Sequence, residues 1–244
     1  MKQSLFEIVE NTALTRDVYK MVLVGDTSAI TSSGQFVNIQ LDGLYLRRPI
    51  SVCDCEGDGL TLLYKVVGKG TEQMSKMSNG KLDVLTGLGN GYDLSKSGER
   101  PLLIGGGVGV PPLYMLCKKL VSEGKDVSVI LGFNTKDEIF YEEEFKALGV
   151  KVFVTTVDGS YGIKGFVTEA TKEIDYTYFY TCGPEPMLKA IYSASKTSGQ
   201  FSFEERMGCG FGACMGCSCK TVTGYKRICK EGPVLEKEEI LWEK

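Results

Sequence analysis

Along the first hundred residues, hydrophobic and polar positions change with a short period. Residues 17–24, 34–41 and 59–67 are rich in β-branched and aromatic side chains, alternate in part and are punctuated by Gly and Asp, so each predicts a strand. Short strands at this spacing predict a small antiparallel barrel. One brief helix is expected over 71–78, with Thr71 as N-cap, Met74 and Met77 on one face and Gly80 as the stop. From Arg100 the rhythm lengthens. Residues 101–105, 127–132, 151–157 and 176–181 read as strands, and 111–122, 141–148 and 185–197 as helices. That alternation predicts βαβ units and a parallel sheet. After Gly199 the pattern breaks again into a segment with five cysteines and little periodicity. The expected fold class is therefore α/β plus all-β. It has a β-barrel over 1–97, a parallel α/β nucleotide-binding domain over 98–200 and a small cysteine-rich domain over 201–244.

Composition narrows the chemistry. The 244 residues are 43% hydrophobic and 24% charged, as in ordinary globular chains that bury a core without staples. A net charge of −3 with 28 scattered basic residues gives no case for nucleic acid. The first 17 residues lack an apolar core, and the longest nearly apolar stretch, 101–117, is short and broken by Gly and Pro. A cytoplasmic protein without membrane contact is the expectation. In that setting nine cysteines, an odd number, argue for metal ligation rather than disulfides. The absence of histidine removes the commonest general base and leaves the chemistry to cofactors.

The cysteines supply the sharpest signal. Cys209, Cys214 and Cys217 follow a C-x4-C-x2-C pattern, and Cys229 comes after eleven intervening residues. This is the plant-type spacing for a [2Fe–2S] cluster. Three thiolates within nine residues need tight turns, and Gly208, Gly210, Gly212, Ala213 and Gly216 provide them. Structural zinc is the competing reading, although it favours short-spaced pairs or Cys/His mixtures. Cys219 is the rival ligand, while Cys53, Cys55 and Cys117 read as small hydrophobes.

Three further segments suggest bound phosphates or ring systems. Gly105, Gly106, Gly107 and Gly109 lie between a strand and a helix that opens with Pro111 and Pro112, a turn that lets a diphosphate approach a helix start. The second strand ends in Gly132-Phe133-Asn134-Thr135, without the acidic residue that usually meets the ribose. A ligand-free βα turn competes with this reading. Cys182 ends a strand at the sheet edge where ligands bind, or is a core cysteine. In Leu46-Arg47-Arg48-Pro49-Ile50-Ser51, arginines and a hydroxyl beside a Pro-fixed turn can hold a diphosphate. A surface Arg pair is the bland alternative, and Gly70-Thr71, a second phosphate-sized turn, favours the former.

Taken together, in order and over nearly the whole chain, several segments resemble the electron-transfer subunit family of class 1B dihydroorotate dehydrogenases, within the ferredoxin-reductase superfamily. They are residues 48–51, Leu63-Tyr64-Lys65, Gly70-Thr71, 87–91, 105–112, 157–162, 182–187, 205–210 and the four cysteines. The resemblance implies FAD in the barrel, held by Arg48, Pro49, Ile50, Ser51, Leu63, Tyr64, Lys65, Gly70 and Thr71. It implies NAD over Gly105, Gly106, Gly107 and Gly109, with its nicotinamide near Cys182, and a cluster on Cys209, Cys214, Cys217 and Cys229. It further implies an FMN-containing catalytic partner subunit, in a two-plus-two heterotetramer, that oxidises dihydroorotate in pyrimidine (UMP) biosynthesis. Electrons would then pass through the cluster and FAD to NAD. Lys65 stands where the family often has Arg, and the gap before Cys229 is short. Alternatives are a sister subunit serving a ferredoxin:NADP oxidoreductase, a sulfide-oxidising complex or a hydrogenase, and a zinc-stabilised binding module.

Overall fold

The computed structural model of the chain describes residues 1–242. Its first half is a closed antiparallel barrel of β1 (Lys2–Ala13), β2 (Val18–Val24), β3 (Phe36–Ile39), β4 (Arg48–Glu56), β5 (Gly59–Lys65) and β6 (Lys81–Leu88), in the order β1-β2-β5-β4-β3-β6. The expected strands are present, and β1 and β6, which the hydrophobic pattern did not single out, close the ring. Barrel closure follows from inward rows such as Phe6 and Ile8 of β1, Met21 and Leu23 of β2, and Leu60 and Leu62 of β5, which form one core. In β3 alternate side chains take two different jobs. Val37 and Ile39 fill the barrel, whereas Phe36 packs outward against the C-terminal segment. That strand is buried on both faces.

The short helix α1 covers Lys69–Ser75, and its N-cap is Gly68 rather than Thr71. Thr71 sits inside the first turn, where its hydroxyl accepts from the N–H groups of Val67 (2.9 Å) and Gly68 (3.3 Å). A threonine can satisfy orphan donors from that position as well as from the cap, so sequence pattern alone misplaces the boundary.

The second half is a seven-stranded sheet. Its strands are β7 (Pro101–Gly106), β8 (Ser128–Phe133), β9 (Lys151–Thr156), β10 (Ile163–Lys164), β11 (Tyr178–Cys182), β12 (Gly199–Ser202) and β15 (Val234–Glu236). They are ordered β10-β9-β8-β7-β11-β12-β15, all parallel except the last pair. Helices α2 (Pro112–Ser122), α3 (Glu142–Ala147), α4 (Val167–Thr171) and α5 (Glu185–Ala194) connect the strands. β7 and β11 are buried along their whole length, as a sheet covered on both faces requires. Between β12 and β15 the chain leaves the sheet for the cysteine segment, which contains the hairpin of β13 (Ser218–Thr221) and β14 (Gly224–Arg227). It returns to pair antiparallel with β12 through Phe201 and Leu235.

The barrel and the sheet share a core. Val18, Cys53 and Leu63 of the barrel pack with Leu113, Leu116 and Cys117 of α2, and Lys118 of α2 pairs with Asp54 of β4 at 2.7 Å. Among the described residues, no helix is long and apolar enough to cross a membrane.

Candidate functional site

A cleft of about 520 Å³ opens at the carboxyl edge of the parallel sheet, lined by the glycine turn, Asn134, Thr155, Gly183 and Met187, and by Lys65 from the barrel. The glycines do different work there. At Gly109 a Cβ would lie 2.2 Å from the carbonyl oxygen of Cys182, so the turn can approach β11 only without a side chain. At Gly105 a Cβ would meet the Val110 backbone at 2.9 Å, and at Gly106 it would meet Met187. Gly107 has φ +52° and nothing within 4 Å, so its bare backbone faces open space. A strand, a turn without side chains and a helix start together form a cradle for a diphosphate.

Cys182 ends β11 but is only 3% exposed. Burial is the main cause that pushes its thiol up to about 12, with the nearby carboxylate of Glu204 adding to it. It is a neutral, polarizable surface at working pH, and its neighbour Gly183 provides the cleft wall. Glu204 also lines the cleft, and burial raises its carboxyl.

Glu138, Thr155 and Glu204 are among the cleft residues that the sequence reading did not single out. Glu138 arrives on a 3-10 turn after β8, where its carboxylate accepts from the N–H (3.2 Å) and Nδ2 (2.9 Å) of Asn134. It brings an acidic side chain to the cleft lining beyond the end of β8. Thr155 is 1% exposed, and its Oγ1 has no hydrogen-bond partner among the described residues. Glu204 begins the cysteine segment and reaches the cleft only through folding. Only the turn after β8 left a trace in the sequence, an Asn with an acid four positions on.

The Arg48 segment meets α1 directly. At Gly70 a Cβ would lie 2.2 Å from Arg48 Nε, so the arginine runs across the helix start. Arg48 donates to the carbonyls of Leu46 and Arg47, and among the described residues it has no carboxylate partner. That leaves its charge available to an anion, and the donor set suits a diphosphate. Lys65 differs, being paired with Asp17 at 3.1 Å. Leu63 and Tyr64 are 3% and 2% exposed. The Tyr64 hydroxyl donates to Asn11 at 2.9 Å, and burial carries it up to about 12. Pro49 and Ser51 lie on one face of β4, opposite Asn38 and Phe36 of β3.

The four cysteines converge. Partial burial pushes the Cys209 thiol up, but hydrogen bonds from the N–H groups of Phe211, Ala213 and Cys214 and from the Cys214 side chain outweigh it and bring it down to about 6. The Ala213 N–H lies 3.2 Å from that sulfur. Cys229 is driven the other way, to about 12, first by burial and then by the sulfur of Cys217, with Cys209 contributing. The Cys229 N–H reaches Cys217 Sγ at 3.4 Å. Cys209 Sγ thus lies against the Cys214 segment and Cys217 Sγ against the Cys229 backbone. Four thiols in one segment, with backbone N–H groups turned towards two of the sulfurs, are the donor chemistry that a [2Fe–2S] cluster uses. Among the described residues no group of three or more His, Cys, Asp or Glu side chains is placed to hold a single metal ion. Cys217 and Cys229 are buried, while Cys214 is exposed beside Phe211 and Met215. Cys219 lies on β13 opposite Lys226 and packs against the neighbouring apolar cluster. Cys53 and Cys117 are fully buried hydrophobes and Cys55 is half-buried, as expected.

Comparison with known proteins agrees with this geometry. Residues 204–241 match the model for the iron–sulfur cluster binding domain of dihydroorotate dehydrogenase B, and residues 103–193 match the oxidoreductase NAD-binding domain. The chain is 43% identical to the dihydroorotate dehydrogenase B (NAD(+)) electron transfer subunit of Bacillus pumilus, covering 98% of both chains. It is 46% identical to the subunit of that name from Fusobacterium nucleatum, covering 93% of this chain and 94% of that one. Among solved structures, a chain described with the NADH-dependent reduced ferredoxin-NADP oxidoreductase superposes with TM-score 0.88 at 31% identity, covering 98% of this chain and 90% of that one. A ferredoxin NADP+ reductase from Neisseria gonorrhoeae shares the fold at TM-score 0.71 and 18% identity, covering 80% and 90%.

Proposed function

The chain belongs to the family of electron transfer subunits of dihydroorotate dehydrogenase B (NAD(+)), and from that premise we propose how its residues divide the work. The barrel of 1–97 holds FAD, the unit of 98–200 holds NAD, and that of 201–244 holds a [2Fe–2S] cluster. The single observation that carries this reading is that one barrel touches both other sites. Lys65 at the end of β5 enters the nucleotide cleft, and Asn38 of β3 donates to the carbonyl of Cys209 at 3.2 Å.

When bound, FAD would supply the conversion between hydride and single-electron transfer, and the cluster a one-electron path. The chain's own residues bind, orient and shield. Arg48 and the start of α1 take the flavin diphosphate, Pro49 and Ser51 lie alongside the ring, and Ile50, on the opposite face of β4, packs against the barrel core. The glycine turn takes the dinucleotide diphosphate. Glu138 accepts the ribose hydroxyls and repels a 2′-phosphate, which favours NAD over NADP. Thr155 has a buried hydroxyl to offer the nucleotide. Cys182, neutral and buried behind Gly183, packs near the nicotinamide without exchanging protons. Cys209, Cys214, Cys217 and Cys229 ligate the cluster.

Cys214, Phe211 and Met215 form an exposed apolar edge suited to docking the catalytic subunit. That partner carries FMN, oxidises dihydroorotate, and assembles with this chain two plus two in the cytoplasm. Identity is higher to the dihydroorotate dehydrogenase subunits than to the ferredoxin-NADP oxidoreductase chain, which favours this partner over a sister complex.

The test is an anaerobic visible spectrum of the purified chain before and after NADH, with iron and flavin quantified, then repeated with the partner and dihydroorotate. Overlapping flavin and iron–sulfur bands that bleach with either donor are expected. A colourless, zinc-loaded protein made with iron and flavin supplied would overturn the reading.

A further inference from the structure

Asn38 has no place in the motifs that define the cofactor segments, yet the fold puts it between two of them. Its strand β3 pairs antiparallel with β4 so that Asn38 faces Pro49 and Phe36 faces Ser51. Directly opposed residues share a face of the sheet. Asn38 and Phe36 therefore stand on the face that carries two of the flavin-segment residues, with Val37 and Ile39 turned into the barrel.

From that face Asn38 reaches the cysteine loop. Its Nδ2 donates to the carbonyl of Cys209 at 3.2 Å. The contact is tight: a Cβ at Gly210, where φ is +78°, would lie 2.4 Å from Asn38 Nδ2. The loop can therefore close over the asparagine only because the residue after the first ligand has no side chain. On its other flank, the Asn38 backbone carbonyl accepts from Arg47, whose guanidinium also pairs with Asp83 at 2.9 Å. Asn38 is 1% exposed, and its Oδ1 has no hydrogen-bond partner among the described residues. A buried, half-satisfied amide is an expensive choice for a position where an aliphatic side chain could pack. Its benefit is directional: one side chain of the flavin strand pair grips the peptide of a cluster ligand.

We propose that Asn38 is a positioning residue for electron exchange between flavin and cluster, fixing the Cys209 loop against the strand pair that carries the flavin segment. The inference rests on the cofactor assignment above. A hydrogen bond to the ligand's own carbonyl orients the peptide whose neighbouring N–H groups point at Cys209 Sγ, so Asn38 acts on the cluster through that loop.

The experiment uses the holoprotein of wild type, Asn38→Leu and Asn38→Asp, mixed anaerobically with NADH. Flavin bleaching is followed by stopped-flow absorbance, and cluster reduction by freeze-quench electron paramagnetic resonance. Both variants are expected to bleach flavin at the wild-type rate. Cluster reduction should slow about tenfold, the equivalent of roughly one hydrogen bond, with shifted g values. Asn38→Asp, which keeps the shape but sets an acceptor against the Cys209 carbonyl, should show the larger change. Loss of iron with flavin retained in either variant also supports the anchoring role. Wild-type cluster-reduction rates and g values in both variants would overturn it. A wild-type chain that lacks iron or flavin would instead overturn the cofactor assignment. Should Asn38→Leu prove insoluble, the near-isosteric Asn38→Asp carries the comparison.

Discussion

The nucleotide cleft and the cysteine loop solve the same problem, holding a redox group in place, by opposite means. The cleft is backed by a self-sufficient core. β7, β8 and β11 are almost wholly buried, and side chains such as Leu103, Val129 and Tyr180 pack beneath it. Its loops can be shaped for ligand because the sheet pays the cost of folding. The cysteine loop has little core of its own. Ile228, Cys217 and Cys229 are buried in a cluster shared with Phe36, Leu85 and Leu88 of the barrel and Leu235 of β15. Phe211 and Met215 remain exposed. A segment built this way depends on its cargo and its neighbours.

The largest expected effect separates the two regions most cleanly. Cys217→Ser removes a buried ligand, and we expect complete loss of iron together with loss of electron transfer to the partner. Hydrogen exchange should rise across 203–233 while β7, β8 and β11 keep their protection. Equal loss of protection in both regions would mean that the sheet also depends on the cluster. The converse variant, Gly109→Val, forces a side chain against the Cys182 carbonyl. It should destabilise the fold by about 3 kcal/mol in denaturant titration and abolish NADH binding, with the iron content of the soluble fraction unchanged.

Smaller substitutions sharpen the cleft. Glu138→Gln removes the charge that opposes a 2′-phosphate, so the preference for NADH over NADPH should fall about tenfold in kcat/KM. An unchanged ratio would move the ribose contact elsewhere. Thr155→Val deletes a buried, unpartnered hydroxyl. If that group meets the nucleotide, KM for NADH should rise by about threefold to tenfold at constant kcat. A more stable protein with unchanged KM would show that the orphan is merely tolerated.

The smallest effect concerns the barrel beneath the cluster. Burial pushes the Asp83 carboxyl up, but hydrogen bonds from Arg47 and Gln3 outweigh it and hold it below its usual 3.8. A lowered folded value adds stability that is present above 3.8 and is lost as the pH falls below it. Asp83→Asn should therefore cost about 0.5–1 kcal/mol at pH 7, and the difference should shrink towards pH 3 in urea unfolding.

Much of the site was legible because its chemistry is local. The spacing of Cys209, Cys214 and Cys217 encodes a loop whose closure depends on the glycines between them, and the glycine turn needs only the strand before it and the helix after it. Thr71 shows the limit even of local reading, since its hydroxyl caps the helix from inside the first turn. An acidic residue was sought at the end of β8, yet the acid that lines the cleft, Glu138, arrives by a further turn. Nothing around Thr155 distinguishes it from Thr156, the other threonine of its strand, until the sheet order sets it beside Gly132.

By itself the sequence determined the barrel and parallel-sheet classes and the family, and it proposed the cluster ligands and the phosphate turns. The fold classes and the proposed turns follow from short-range periodicity or close spacing, where the chain's own geometry limits the alternatives, and the family from the ordered set of segments along the chain. Tertiary structure alone decided that β15 returns to the sheet beside β12, that Glu204 faces the nucleotide cleft and that Asn38 meets Cys209 across 171 positions. Such contacts are set by the closure of the barrel and the order of the sheet, which no local window of sequence encodes.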